Sequence, residues 1–357
     1  RLRISEIPVS GHFKYAAWLR RFHHPVYMDL FFSEKFKNMT ILVTGGSGFI
    51  GSNLVRRLKQ KGQRCIVFDD MSLGSVKNVD FIDQTDIVMG DINNVDDMNR
   101  LPQMLTGVPP KEVKVWHLAA NSDIVSGVND SDVDYVKTFL TTQNILKFMR
   151  RQNFSELYFS STSAVYGDKG ETLITESSSN LHPISNYGAY KLASEAIISA
   201  AREDFLRDVV VFRFPNVVGI PATHGVILDF IRKLKATPKE LVVLGDGSQQ
   251  KSYIYIEDLI SAMILCADKK HTERFPVFNI GNIDTGTTVR QIAESVVRNA
   301  SPKALISYGS EPRGWKGDIP KFYYDVSKIK ELGWSPKYTS NEAINKTICD
   351  ILQNDED

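Results

Sequence analysis

Tyr187 and Lys191 stand four residues apart, a spacing that puts both on one face of a helix, one turn from each other. A phenol ordinarily titrates near ~10, too high for a base at neutral pH, and a neighbouring ammonium favours the phenolate. The pair therefore predicts a general acid/base able to move a proton on and off an alcohol oxygen. Upstream, the run Ser160-Ser161-Thr162-Ser163 follows a short apolar strand and offers a small hydroxyl at a strand end. Such a group can hold the same alcohol beside the tyrosine.

A second chemical signal lies nearer the start of the chain. Gly45-Gly46-Ser47-Gly48-Phe49-Ile50-Gly51 separates the apolar run Thr40–Val43 from a helical stretch over 51–61, with Leu54, Val55 and Leu58 on one face. Glycines at 45, 48 and 51 let backbone approach a pyrophosphate, and the helix N-terminus presents free N–H groups and partial positive charge to it. The next strand ends in Asp69, 18 residues after Gly51. An acid there accepts hydrogen bonds from ribose hydroxyls and repels a 2′-phosphate, which favours NAD over NADP. Asp70 follows directly, but adjacent residues at a strand end diverge, so the pair is not expected to hold a metal. No metal site is expected elsewhere.

The elements that must position these residues alternate. Strands are predicted at Cys65–Phe68, Asp86–Met89, Val113–Leu118, Leu157–Ser160 and Val209–Arg213, with helices near 131–151 and 188–206. That alternation predicts an α/β fold: a Rossmann-like, doubly wound parallel sheet, covered on both faces. After about residue 216 the rhythm changes. Helices near 225–236, 257–268 and 287–299 and short strands at Leu241–Leu244 and Tyr253–Ile256 predict a smaller mixed α/β unit over the carboxyl ends of the sheet. The expected organisation is thus a dinucleotide-binding domain over 39–215 and a substrate-binding domain over 216–357, partly interleaved. Residues 1–38 carry seven Lys/Arg, three Asp/Glu and eight aromatics. They are expected to be an accessory extension or sequence upstream of the functional start, with an aromatic, basic docking arm as the alternative.

Composition narrows the classes. The 357 residues are 42% hydrophobic and 24% charged, ordinary for a globular protein. The 43 basic and 42 acidic residues nearly cancel, which argues against nucleic-acid binding. No apolar run approaches the ~18 residues of a membrane span. Cys65, Cys266 and Cys349 show no pairing or zinc-ligand spacing, so reduced thiols in a cytoplasmic protein are expected.

These stretches together resemble the extended short-chain dehydrogenase/reductase superfamily, and within it the UDP-glucose 4-epimerase branch of nucleotide-sugar enzymes. The likeness rests on Val43–Gly51, Gly90-Asp91-Ile92, His117-Leu118-Ala119-Ala120, Phe159–Gly167, Tyr187-Gly188-Ala189-Tyr190-Lys191, Arg213-Phe214-Pro215-Asn216 and Gly314–Asp318. It runs from Met39 to about Trp334. By resemblance, Thr162, Tyr187 and Lys191 form the catalytic set. Gly45, Gly48, Phe49, Ile50, Gly51, Asp69, Asp91, Ile92, Leu118, Ala119, Ala120 and Phe214 surround NAD, with Tyr187 and Lys191. Asn216, Lys251, Tyr253, Arg313, Asp318 and Phe322, with Thr162, contact a UDP-sugar. The implied reaction oxidises the sugar at C4 and returns the hydride to its other face. A homodimer through the helices near 131–151 and 188–206 is implied as well.

Departures from the family pattern discriminate among reactions. Dehydratases of this type carry Asp-Glu after the catalytic hydroxyl, and related decarboxylases a Glu at the second place; this chain has Ser163-Ala164. That leaves epimerisation first. A nucleotide-sugar 4-ketoreductase or decarboxylase is the alternative, and a silent NAD-binding protein is a third reading. Lys251 stands where an Arg is usual and keeps the charge without the bidentate fork. Trp315 replaces a usual Arg, with Arg313 and Lys316 beside it, so the identity of the diphosphate clamp stays open. Phe322 implies a sugar pocket too narrow for an N-acetyl group. His117 and Tyr166 are expected as packed residues.

Overall fold

The computed structural model describes residues 39–312 and 323–354. The first strand, β1 (Thr40–Thr44), is buried throughout, with Ile41, Leu42 and Val43 fully inaccessible. A strand apolar on both faces needs helices above and below it. The same holds for β2 (Arg64–Asp69), β4 (Val113–His117), β5 (Glu156–Thr162) and β6 (Asp208–Phe214), while β3 (Ile87–Met89) is a short edge strand. With β7 (Val277–Asn279) they form one seven-stranded sheet in the order β7-β6-β5-β4-β1-β2-β3, parallel at every pairing. Strand order reverses beside β1, whose neighbours are β2 and β4. The carboxyl ends of those strands splay into a crevice, the usual ligand site of such sheets.

The predicted helices form with small shifts at their ends. Helix α1 (Phe49–Gln60) starts directly from the glycine turn and buries Leu54, Val55 and Leu58, as the periodicity required. The stretch near 131–151 is not one helix. A short helix over Ser131–Asp134 passes into a π-helical turn over Tyr135–Leu140 before α2 (Thr141–Gln152). Thr141 and Thr142 donate their hydroxyls back to the carbonyl of Thr138, and Thr141 also to that of Lys137. Hydroxyls that compete for helix carbonyls, together with the π turn, break the register here. Helix α3 (Asn186–Asp204) starts where Ser185 accepts the Gly188 N–H at 3.1 Å, and it carries Tyr187, Lys191 and Glu195 down one face.

Beyond β6 the chain builds a smaller layered unit. Helices α4 (Val226–Ala236), α6 (Val289–Ala300) and α7 (Ser340–Asn354) pack on one another, while α5 (Ile256–Asp268) lies against α1. Glu240–Val243 pairs in parallel with Leu305–Tyr308, and Asn216–Val218 with Tyr253–Tyr255. The later half also returns to the main sheet, because β7 lies beside β6. The two halves therefore share one sheet. Among the described residues no helix is long and apolar enough to cross a membrane. Residues 1–38, expected to be an accessory extension or a docking arm, lie outside the described residues.

Candidate active site

A cavity of about 930 Å³ opens over the carboxyl ends of β1, β2, β4 and β5. Its floor at one end is the glycine turn: Gly45, Gly48, Phe49, Ile50 and Gly51 all line it. Gly45 has φ +69°, and a Cβ there would meet the Ala119 amide nitrogen at 2.6 Å. At Gly51 a Cβ would lie 2.0 Å from the Gly45 carbonyl oxygen. Only bare backbone lets turn, helix and the β4 exit close together. No side chain caps the N-terminus of α1 and no acid occupies its first turn, so its free N–H groups face the cavity. This cradle fits a dinucleotide pyrophosphate.

Asp69 lines the same end at the tip of β2, 8% exposed. Its Oδ2 accepts the Ser47 N–H and its Oδ1 the Met71 N–H, each at 2.9 Å. Burial pushes its carboxyl above the usual range, against those two backbone donors. Each oxygen keeps a second lone pair for a ribose hydroxyl. Asp91 and Ile92 line the edge beyond β3, and Leu118, Ala119 and Ala120 the wall beyond β4. One lining residue, Lys137, was not singled out from the sequence, and it gives Asp70 a partner. Asp70 accepts from Lys137 Nζ at 2.6 Å, and Lys137 also reaches Asp91 at 3.8 Å. Lys137 sits on the π-helical turn, which no periodicity announces.

The other end of the cavity holds Thr162, Tyr187 and Lys191. Lys191 is 2% exposed; its Nζ donates to the Ser160 carbonyl at 2.6 Å and lies 6.0 Å from the Tyr187 ring centre. Burial drives the ammonium down to about 7, while the charges of Glu195 and Asp134 resist the fall. Tyr187 behaves opposite to the sequence expectation. Burial raises the phenol above its ordinary value, Asp134 adds to the rise, and the Thr162 hydroxyl opposes it. Desolvation outweighs the Thr162 hydrogen bond. At neutral pH the phenol holds its proton, and burial makes the Lys191 ammonium readier to release one.

Behind this pair runs a buried network. Glu195, one turn beyond Lys191, takes a forked pair of hydrogen bonds from Arg213 and one from Ser161. Arg213 also donates to the Tyr166 hydroxyl, which bonds Asn279 Oδ1 at 2.7 Å. His117 is fully buried between Thr44 (2.7 Å) and Thr142 (3.1 Å), and burial lowers its imidazole to about 3, so it stays neutral. Both histidine and Tyr166 are packed residues, as their sequence context suggested.

Phe214, Asn216, Lys251 and Tyr253 line the cavity beyond the catalytic set. Arg313, Asp318 and Phe322 lie outside the described residues. Ser163 and Ala164 line the wall next to Thr162, whose Oγ1 accepts the Ala164 N–H at 3.2 Å. No carboxylate occupies those two places.

Fold and site together define a dinucleotide-binding α/β protein with a tyrosine–lysine pair at the far end of its cleft. The chain belongs to the NAD dependent epimerase/dehydratase family, whose model matches residues 41–281. Among curated relatives, a putative UDP-glucose 4-epimerase of Methanocaldococcus jannaschii is 28% identical over 316 residues, spanning 86% of this chain and 97% of the relative. A UDP-glucose 4-epimerase of Halalkalibacterium halodurans is 29% identical over 86% of this chain and 93% of its own. Of solved structures, the UDP-glucose 4-epimerase of Thermotoga maritima with UDP-glucose superposes with TM-score 0.76 at 29% identity, covering 88% of this chain and 99% of that one. The Thermus thermophilus UDP-glucose 4-epimerase in complex with NAD gives 0.74 at 26% identity, with the same coverage.

Proposed function

We propose that this protein is an NAD-dependent nucleotide-sugar epimerase that inverts C4 of a UDP-hexose, interconverting UDP-glucose and UDP-galactose. The observation that carries this is one continuous cavity with the glycine cradle and Asp69 at one end and Thr162, Tyr187 and Lys191 at the other. Bound NAD supplies a hydride acceptor and donor. The protein supplies the rest. Thr162 holds the sugar oxygen, and Tyr187, in the phenolate form that the Lys191 ammonium favours, takes its proton and later returns it to that oxygen of the 4-keto sugar. The raised phenol favours the return step. Removal of the proton requires positive charge nearby, which Lys191 provides in its ammonium form. Asn216, Lys251 and Tyr253 hold the nucleotide diphosphate and sugar, with Arg313, Asp318 and Phe322 as further contacts. Ser163 and Ala164 place no acid beside the sugar, which disfavours elimination and decarboxylation.

The division into a dinucleotide-binding part over 39–215 and a substrate-binding part over 216–357 belongs to the same reading. So does a homodimer. Tyr135, Phe139 and Tyr190 cluster with ring centres about 6 Å apart on the helices expected to meet a partner, and Tyr135 is 41% exposed. The test is incubation with UDP-galactose and no added cofactor, with products resolved by NMR. UDP-glucose should form, and Tyr187→Phe should lower the rate by at least ~100-fold, the lower bound for losing a positioned acid/base. Turnover that needs stoichiometric NADH would move the protein to the ketoreductases. Full activity of Tyr187→Phe would remove the assigned base.

A further inference from the structure

Three acidic side chains line the cavity at its glycine-turn end: Asp69 and Asp70 where β2 ends, and Asp91 after β3. A dinucleotide brings the negative charge of its pyrophosphate to the same end. Lys137 is the cation among these acids. Its Nζ stands 2.6 Å from Asp70 Oδ2 and 3.8 Å from Asp91 Oδ2, and it lines the cavity with them. The other lining lysines, Lys191, Lys233 and Lys251, come from α3, from α4 and from the segment Gln250–Lys251.

The loops that Lys137 joins need an outside hold. After β2 the backbone passes through Met71 at φ +59°, a conformation that a side chain of this size keeps only where its surroundings over-determine it. Asp69 Oδ1 accepts the Met71 N–H at 2.9 Å, and Asp70 Oδ1 accepts the Ser72 N–H at 2.9 Å and its hydroxyl at 2.6 Å. The other Asp70 oxygen goes to Lys137. After β3, Asp91 Oδ1 accepts the Asn93 N–H at 2.9 Å. The Asn93 amide donates to the Val136 carbonyl at 3.1 Å, and its oxygen accepts from Asn144 at 3.1 Å. Two loops from adjacent strands are therefore pinned to one π-helical turn, and Lys137 is the side chain of that turn that reaches both. Turns of this kind concentrate at functional sites. Burial works against both charges, yet the bond holds the Asp70 carboxyl below its ordinary range and the Lys137 ammonium above its own.

We infer that Lys137 is a cofactor-retaining positioning residue: by bridging Asp70 and Asp91 it locks the two loops at this rim of the cleft and offsets their charge, so that NAD stays bound from one turnover to the next. The inference needs NAD in the cleft and does not depend on which sugar is turned over. The bridge is partly exposed, 37% at Lys137 and 27% at Asp70, so its loss should read as a factor of about five in NAD retention.

The experiment measures NAD leaving the loaded protein, captured by an excess of an NAD-reducing dehydrogenase and its substrate. Lys137→Gln should release NAD about fivefold faster than the parent, and Lys137→Arg, which keeps the charge, within about twofold of it. Asp70→Asn should also release faster. Added to Lys137→Gln it should speed release by less than about twofold more, because the two changes break one bridge. A Lys137→Gln protein that melts at lower temperature yet releases NAD at the parental rate would show an ion pair of the fold alone and overturn the inference. Effects of Lys137→Gln and Asp70→Asn that simply multiply would overturn it as well. So would failure of both variants to fold, which would assign the bridge to folding. A parent protein that takes up no NAD is a different result: the cofactor reading of the cleft then fails, and this inference with it.

Discussion

Replacing Glu195 by Gln tests whether the network behind Lys191 holds the site together. Arg213 is 5% exposed, and the side chains of Arg213 and Glu195 retain 7% and 5% of their exposure. The guanidinium gives Nε to Oε1 at 3.0 Å and a second nitrogen to Oε2 at 2.5 Å, a forked geometry that compensates two desolvated charges. Glu195→Gln leaves Arg213 charged and buried, with the Tyr166 hydroxyl at 2.9 Å and a single neutral amide oxygen in place of the carboxylate. Breaking a buried pair from one side costs about 3–5 kcal/mol. At about 2.1 cal/mol/K of unfolding entropy per residue, that is a fall in Tm of roughly 5–7 °C for a domain of this size. The same change removes the largest charge that holds the Lys191 ammonium up. Less ammonium should then remain at neutral pH, and activity should fall with stability. Calorimetry and chemical denaturation read the first effect, the rate of UDP-galactose conversion the second. The paired variant Glu195→Leu with Arg213→Met, which removes both charges, should regain most of the stability. A Glu195→Gln protein within 1 kcal/mol of the parent would refute the claim that this pair is desolvated and mutually dependent.

Two further outcomes follow from the same geometry. Gly51→Ala places a methyl 2.0 Å from the Gly45 carbonyl oxygen and 2.7 Å from the Gly46 Cα, both backbone. It should cost about 1–3 kcal/mol of stability and weaken NAD binding at least about tenfold, and parental affinity by calorimetric titration would exclude the tight turn. His117 has its folded imidazole lowered to about 3 from an ordinary 6.5. The unfolded chain binds the extra proton, so this contribution is complete above pH 6.5 and drains away as pH falls toward 3. At pH 4 the loss should be about 3 kcal/mol, readable from urea unfolding across pH. A His117 ring signal titrating near pH 6.5 in the folded chain would show the imidazole to be solvated.

Much of the cavity was legible because its chemistry is local in sequence. The glycine turn, Asp69 and the Tyr187–Lys191 spacing each depend on one strand–turn–helix or on one helical turn. All eighteen expected site residues among those described line the cavity. The seven-stranded parallel sheet follows from alternating apolar runs and helical stretches. What stayed hidden was long-range. Asp70, Lys137 and Asp91 come from three elements and meet only when β2, β3 and the π-helical turn are assembled. The break in the helix near 131–151 depends on which carbonyls the threonine hydroxyls choose, and hydrophobic periodicity does not register that choice.

Spacing and residue type by themselves settled which side chains could form a nucleotide cradle and an acid/base pair, since helix and strand periods place neighbours with little help from the rest of the chain. The protonation of that pair is a different matter. It was expected to yield an acidic phenol, and the folded protein raises the phenol and lowers the ammonium instead. Desolvation and the charges of Asp134 and Glu195 decide it. Each depends on what distant segments pack around a group, and only the assembled tertiary structure sets that environment.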